Sequence, residues 1–370
     1  MKIAIFTPYN IFIHGGVNDH VKYQAKLLRE RGHDVTIITP RPRKKEDDPP
    51  EGVVYLGGSA RVKAPHATSA DISVSIANED IDAELAKGYD ILHVHEPLVP
   101  IAARQLLSRA KGGVVRVGTF HAALPGNALG KSLVSTYRSY AKRVLPHIDV
   151  VTAVTPAATG FIEGYDIPIT YIPNGIDLTV YTSQPIKRDQ NMILFIGRLE
   201  KRKGAKEAIK AFGLLKERKP DVQLVIASDG PLRDSLEEYV LENDLADISF
   251  LGFISEEEKL DLLSRCGIFT SPALYGESFG IVLAEAMAMR APIVAHPNDG
   301  YKWVLKETGR LSLVNCDDPE AYADRMELML EDNTLRTVWQ DWASEYVKQF
   351  DYEKIVDQYE ALYAKHLNSN

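Results

Sequence analysis

At 370 residues, the chain is longer than one hydrophobic core usually organises, and it predicts two α/β domains. Its 43 basic and 51 acidic side chains leave a formal net charge of −8, which excludes wrapping nucleic acid as a whole. The two cysteines, Cys266 and Cys316, show no metal-ligand or disulfide spacing and read as reduced cytoplasmic thiols. No run of about 18 apolar residues predicts a membrane span, and Pro8 interrupts the first apolar run too early for a signal peptide.

The opening Lys2–Phe6 is a short apolar run that stops at Thr7-Pro8, as a buried parallel strand does. From His20 to Arg31, Val21, Ala25 and Leu28 recur at helical spacing and Gly32 ends the pattern. Asp34–Ile38 is a second strand, which completes a βαβ unit. The basic-then-acidic Arg41–Glu51, with its paired prolines, predicts a mobile loop. Strands follow at Ile91–His95, Val114–Thr119, Val150–Val154 and Thr170–Ile172.

A turn-forming stretch, Ile172-Pro-Asn-Gly-Ile-Asp177, then separates this series from another. Strands are predicted at Met192–Ile196, Gln223–Ala227, Ile248–Leu251, Ile268–Ser271 and Pro292–Ala295. Helices alternate with them at Ala205–Lys216, Leu232–Leu241, Ser255–Arg265 and Ser278–Met289. Both halves read as doubly wound parallel sheets with helices on both faces. The expected domains are residues 1–173 and 174–349, with a terminal helix at about 350–370 packing back on the first. Ligands of such sheets bind beyond the carboxyl ends of the strands, so the expected site is a cleft between the two sheets.

Glu277-Ser-Phe-Gly-Ile-Val-Leu-Ala-Glu285 holds two acids around a predicted helix start. With Ser278 as N-cap, Glu277 precedes the helix and Glu285 lies about two turns in. The amides of Gly280 and Ile281 then face an anion at the helix start. Glu285 suits a ribose diol and Glu277 suits sugar hydroxyls; a plain capped helix with an exposed glutamate is the competing reading. Gly197-Arg198-Leu-Glu-Lys-Arg-Lys203-Gly204 follows directly on a strand, placing Arg198 and Lys203 at its carboxyl end. Fixed cations there stabilise a departing diphosphate as a metal would, while a solvated charged loop is the ordinary alternative.

His14-Gly-Gly-Val17 lies in the first strand-to-helix loop, and adjacent glycines admit close backbone approach to a phosphate or sugar. The G-x-G-x-x-G dinucleotide pattern is absent, which argues against a nicotinamide dehydrogenase. His121 follows Gly118-Thr-Phe at another strand end, where it could donate a hydrogen bond to the transferring sugar or serve a structural role. His93 and His95 share one strand face but lack a third ligand, so no metal site is assigned. Asp80-Ile-Asp82 matches the Asp-x-Asp of metal-dependent transferases only formally, inside an acidic run and not after a strand.

Taken together, these motifs resemble the family-4 glycosyltransferases of the GT-B fold, and the likeness spans nearly the whole chain in order. It implies α/β architecture with two Rossmann-like domains facing a central cleft, and a retaining hexosyltransferase needing no metal or other cofactor beyond a nucleotide-sugar donor. By position, the resemblance implies that Gly15 and Gly16 lie by the phosphates, Arg198 and Lys203 bind the diphosphate, and Glu285 binds the ribose. Glu277 and the Phe279, Gly280 and Ile281 backbone would hold the donor sugar, with His121 beside the reacting centre. The base would rest near Ser228–Gly230 and Phe253. In the front-face route common to the family, the leaving phosphate helps deprotonate the acceptor hydroxyl.

Pro8-Tyr9, His93-Val-His95-Glu96-Pro97, Thr119-Phe-His121 and Gly276–Val282 are more specifically similar to the phosphatidylinositol mannosyltransferases. That likeness implies GDP-mannose as donor, an inositol phospholipid as acceptor and a place in glycolipid biosynthesis, with Tyr9, His14, Asn18 and Arg61 on the acceptor side. Two departures stand out. Ala122-Ala-Leu-Pro-Gly126 replaces that subfamily's polar, lysine-bearing run, and Ile76–Gly88 is acidic where a basic amphipathic helix is expected. Yet no acid lies between Glu96 and Asp149, and Lys131–His147 interleaves cations with Leu133, Val134, Tyr137, Tyr140 and Val144. Such a segment either docks peripherally on anionic lipid at the inner face of the cytoplasmic membrane or packs on the core with a solvated basic side. The expected enzyme is a monomer without nucleic-acid partners. A UDP-sugar-dependent glucosyl-type transferase, acting on a diacylglycerol lipid or a soluble acceptor, and a nucleotide-sugar 2-epimerase are the alternatives.

Overall fold

The computed structural model describes residues 1–43, 48–63, 69–124 and 128–368. Positions 44–47 of the predicted loop, Pro125 and Gly126 lie outside the described residues, as do the side chains of Lys131 and Leu133. The chain divides into two compact units, Met1–Gly175 with Tyr352–Asn370, and Ile176–Asp351.

The first unit starts with β1 (Lys2–Phe6), α1 (Gly16–Glu30), β2 (Asp34–Thr39) and β3 (Val53–Tyr55). A hairpin, β4 (Ser59–Lys63) and β5 (Ser69–Ser73), leads to α2 (Asn78–Leu85), β6 (Ile91–His95), α3 (Ala102–Arg109) and β7 (Val115–Phe120). It continues through α4 (Ala128–Val144), β8 (Val150–Ala153) and β9 (Ile169–Tyr171). Seven strands form one sheet in the order β3-β2-β1-β6-β7-β8-β9, with parallel pairings throughout. Successive residues of β1 serve opposite faces, Ile3 and Ile5 joining one core and Ala4 and Phe6 the other. A strand buried on both faces has no polar side, which is why it reads as a continuous apolar run.

The second unit comprises α5 (Leu178–Thr182), β10 (Asp189–Phe195), α6 (Ala205–Arg218), β11 (Gln223–Ile226), α7 (Arg233–Glu242) and β12 (Ile248–Phe250). Then come α8 (Glu256–Arg265), β13 (Cys266–Ser271), α9 (Ile281–Ala288), β14 (Ile293–Ala295) and α10 (Asp299–Val304), followed by α11 (Pro319–Glu331) and α12 (Asn333–Tyr346). Its sheet is parallel in the order β12-β11-β10-β13-β14. Ser255 starts α8 with a capping box, accepting from the Glu258 amide while the Glu258 carboxylate accepts from the Ser255 amide.

The last helix, α13 (Tyr352–Leu367), belongs to the first unit. Its Tyr352, Ile355, Val356, Tyr359 and Tyr363 share a core with Val21, Ala25 and Leu28 of α1 and with Ile3 and Ile5 of β1. Both sheets are Rossmann-like and reverse strand order beside their first strand, at β1/β6 and at β10/β13. The carboxyl ends of those strands are where such a fold leaves room for a ligand.

Candidate active site

In the first unit, β1 ends at Phe6 and the chain loops to α1 at Gly16. Asn18 shapes that loop: its carboxamide accepts from Thr7 Oγ1 at 3.0 Å and donates to the Asn10 and Ile13 carbonyls at 2.8 and 2.9 Å. Asn18, expected on the acceptor side, has a buried side chain that holds the loop. Thr39 Oγ1 adds a tie, accepting from the Ile11 amide and donating to the Tyr9 carbonyl. His14, Gly15 and Gly16 are exposed at the loop's end, where a Cβ on Gly15 would meet nothing within 4 Å. Tyr9 pairs with Ile72 of the hairpin, whose exposed Arg61 stands opposite Asp71. Burial first, and then Glu96, push the Tyr9 hydroxyl above its usual range.

His121 follows β7 and is buried. Its amide and that of Ala122 both donate to Glu96 Oε1, at 2.6 and 2.7 Å. Glu96 can reach them because it turns back at the end of β6 with φ of 52°, a left-handed conformation uncommon for a side-chain-bearing residue. Burial raises its carboxyl to about 7, partly countered by those two amides. The ring of His121 is bonded through Nε2 to His95 Nδ1 at 2.8 Å, while its buried Nδ1 makes no hydrogen bond of ordinary geometry among the described residues, although the Asn174 side chain lies beside the ring. Burial, together with neighbouring histidines, keeps His93, His95 and His121 neutral well below the usual histidine range. His93 and His95 are engaged with Thr119, Tyr363, Gln24 and His121.

In the second unit the segment after β10 forms a charge cluster. Arg198 pairs with Glu200 at 2.7 Å, and Arg202 bridges Glu200 at 3.1 Å and Glu277 at 2.8 Å. Lys203 also reaches Glu277 Oε1, at 2.7 Å. Three cations face two carboxylates, so one positive charge is in excess. The sequence reading took Arg198 and Lys203 as the cations and missed Arg202, which links the loop after β10 to the loop after β13. A run of three basic residues does not say which of them turns inward.

The start of α9 differs from expectation. The helix begins at Ile281 with Gly280 as N-cap, and Ser278 does not cap it. Gly280 has φ of 87°, and a Cβ there would press into the Tyr301 ring, so the chain turns at Gly280 before becoming helical. Glu285 consequently lies little more than one turn into α9. It is buried, and Oε1 accepts from Tyr181 at 2.7 Å and Lys259 at 2.9 Å, while buried Oε2 has no partner among the described residues. An acceptor oxygen desolvated in this way suits a ligand hydroxyl. Tyr181 and Lys259 were absent from the sequence reading, being 104 and 26 residues away in the chain. Phe279 is buried against Trp303 and Phe350, so only its backbone is available to a sugar.

Gly230 follows β11, and a Cβ there would collide with the backbone of Leu199. Phe253 follows β12 and is 78% exposed, an unusual exposure for a phenyl ring and suited to stacking. Arg233 ties their loops together, meeting Asp229 at 3.6 Å and donating to the Phe250 carbonyl.

The basic interval is more balanced than its sequence suggests. Arg109 pairs with Asp82, Arg116 with Asp149 and Arg138 with Glu163. Tyr137, Tyr140 and Val144 pack in the core, so this part of the apolar side of α4 is used within the fold. Arg104, Lys111, Lys142 and Arg143 remain exposed. No helix among the described residues is long and apolar enough to cross a membrane.

A family model described as Glycosyltransferase Family 4 matches residues 14–180, and one described as Glycosyl transferases group 1 matches residues 181–345. The phosphatidyl-myo-inositol mannosyltransferase of Mycolicibacterium smegmatis is 31% identical, over 98% of this chain and 93% of its own. The D-inositol 3-phosphate glycosyltransferase of Corynebacterium urealyticum is 26% identical, over 94% of this chain and 90% of its own. Among solved structures, sucrose-phosphate synthase from Thermosynechococcus elongatus is similar with a TM-score of 0.75 at 21% identity, covering 100% of both chains. Anabaena HepE in complex with UDP-glucose gives 0.72 at 18% identity, again covering 100% of both.

Proposed function

Since the chain belongs to the family-4 glycosyltransferases of the GT-B fold, we propose that it transfers mannose from GDP-mannose to a phosphatidylinositol-like lipid, with retention and without a metal. The observation that carries this reading is the cation cluster at the carboxyl end of β10, where Arg198, Arg202 and Lys203 outnumber Glu200 and Glu277. A nucleoside diphosphate arriving there competes with Glu277 for Lys203 and takes the excess charge. As the glycosidic bond breaks, negative charge grows on the leaving phosphate, and preorganised cations stabilise that state more than the ground state.

Glu277, released from part of its ion pairing, accepts from sugar hydroxyls, and the unpartnered oxygen of Glu285 accepts from the ribose. Gly15 and Gly16 lie by the phosphates and Phe253 stacks on the base. His121 stands beside the transferred sugar, and the leaving phosphate takes the acceptor proton in a front-face reaction. Full-length similarity to phosphatidyl-myo-inositol mannosyltransferases supports the mannosyl donor and the lipid acceptor. The enzyme then works peripherally on the inner face of the cytoplasmic membrane, with Arg104, Lys111, Lys142 and Arg143 as its lipid-facing charges.

A second reading, transfer to a soluble inositol phosphate, draws on the relatives named D-inositol 3-phosphate glycosyltransferase. One assay separates the two. Labelled GDP-mannose is supplied with phosphatidylinositol vesicles or with inositol phosphate, in EDTA. Label in the organic phase, α-linked, is the expected result. Strict Mn²⁺ dependence would overturn the metal-free mechanism. Label in the aqueous product alone would move the acceptor to the soluble class, and turnover with UDP-sugars alone would displace GDP-mannose.

A further inference from the structure

Behind His121 runs one buried chain of hydrogen bonds. Thr152 Oγ1 lies 2.5 Å from Thr119 Oγ1, which lies 2.6 Å from His93 Nε2. His93 Nδ1 meets the Tyr363 hydroxyl at 2.7 Å and Gln24 Nε2 at 3.2 Å. Gln24 Nε2 also donates to Tyr363 at 2.9 Å, and Gln24 Oε1 lies 3.2 Å from His95 Nε2. His95 Nδ1 then meets His121 Nε2 at 2.8 Å. Gln24 is 1% exposed, and His93 and His95 are fully buried.

Every member but one can reverse its donor and acceptor sense by moving protons: a hydroxyl rotates and a neutral imidazole changes tautomer. The carboxamide of Gln24 cannot. Its oxygen only accepts and its nitrogen only donates, so its orientation sets the direction of the whole chain. With Oε1 toward His95, His95 Nε2 must carry the hydrogen and, the ring being neutral, Nδ1 must accept. His121 Nε2 must then be the donor, which leaves His121 Nδ1 without a proton. That nitrogen makes no hydrogen bond of ordinary geometry among the described residues, and the Asn174 carboxamide beside the ring must then turn its NH₂ group toward it.

We propose that Gln24 is a positioning residue for the transfer, its fixed amide polarity holding His121 as the Nε2–H tautomer through His95. The inference rests on the reading of His121 as a group beside the reacting sugar. It revises the expected chemistry: the available nitrogen accepts a hydrogen bond from a sugar or inositol hydroxyl and does not donate one. On the opposite side, Gln24 Nε2 and the Tyr363 hydroxyl deliver hydrogens to His93, whose Nε2–H is passed to Thr119. Nothing in the sequence marks Gln24, since a glutamine on α1 is an ordinary helix residue until β6 and α13 are packed against it.

The test is long-range ¹H–¹⁵N correlation spectroscopy of the full chain labelled at histidine, with resonances assigned by single replacements and turnover measured in parallel. The wild type is expected to show His93, His95 and His121 as Nε2–H. Gln24→Met removes the fixed acceptor; His121 becomes a tautomer mixture, and kcat falls by about tenfold or more while the KM for the donor is retained. Gln24→Glu keeps an acceptor toward His95 but no donor toward His93. It should hold His121 as Nε2–H while His93 gains a proton at Nδ1, a split that a merely structural glutamine would not produce. A wild-type His121 protonated at Nδ1 would overturn the proposal, and so would an unchanged His121 in Gln24→Met. Should Gln24→Met fail to fold, the wild-type and Gln24→Glu spectra decide. A tautomer change without loss of kcat would overturn the positioning role by removing His121 from the reaction, leaving the polarity of the chain as a separate result.

Discussion

Acidification from about pH 7 to about pH 5.5 should destabilise the first unit, and the size of the loss follows from its buried rings. His20, His93, His95 and His121 pack with ring centroids 4.2 to 5.5 Å apart. Burial lowers His20 to about 4, and burial with mutual repulsion holds the other three well below the ordinary range. These are bases with depressed folded-state values, so their contribution is intact above about 6.5 and is lost as pH falls, when only the unfolded chain takes up the protons. Over this interval each histidine costs about 1 kcal/mol, and four cost about 4–5 kcal/mol.

Glu96 opposes them. Its carboxyl, raised to about 7, gains its proton in the folded state first and returns roughly 1–2 kcal/mol on acidification. A net loss of about 3–4 kcal/mol is expected, a large share of an ordinary domain's stability. Urea unfolding at the two pH values, with hydrogen exchange of α1 and β6 amides, measures it. His20→Phe sharpens the test. Neither His20 nitrogen has a hydrogen-bond partner among the described residues, and the ring sits 5.3 to 5.9 Å from those of His95, His121, Tyr352 and Tyr359. A phenyl group should therefore be neutral or stabilising near pH 7 and should remove about 1 kcal/mol of the acid loss. Equal stability at both pH values, or an undiminished loss in His20→Phe, would refute the reasoning.

Lys203→Ala should lower kcat by about a hundredfold by weakening leaving-group stabilisation, measured as steady-state release of the nucleoside diphosphate. Glu285→Gln should weaken nucleotide binding by about 1.5–3 kcal/mol in calorimetry through loss of a charged acceptor. It also leaves the mostly buried Lys259 with only Glu256 as ionic partner among the described residues, so the melting temperature should fall as well. Gly204→Ala should cost more than about 2 kcal/mol in urea unfolding, since Gly204 has φ of 74° and a Cβ would strike the Pro272 carbonyl.

Much of the architecture was legible because its signals are local. β1, β6, β10 and β13 are buried on both faces and therefore read as apolar runs, and α8 carries its start signal in Ser255 and Glu258. The hairpin β4–β5 escaped notice because its strands carry few apolar residues, and β3 because it is only three residues long. The start of α9 was misjudged because Ser278 is a good capping type, while the packing of Gly280 under Tyr301 sets the turn.

The candidate site divides the same way. Glu277, Glu285, Arg198, Lys203 and His121 could be singled out because each lies next to a recognisable strand end or helix start. Their partners could not. Arg202 meets Glu277 across 75 residues, Tyr181 meets Glu285 across 104, and Tyr363 meets His93 across 270. The acid-free interval likewise acquires Asp82, Asp149 and Glu163 from its flanks. By itself the sequence determined the alternation of strands and helices and the residues at their ends, because periodicity and capping act over a few positions. Tertiary structure alone decided which charges neutralise one another and which nitrogen of His121 carries the proton, because hydrogen bonds and ion pairs follow distance in space and strand order in the sheet.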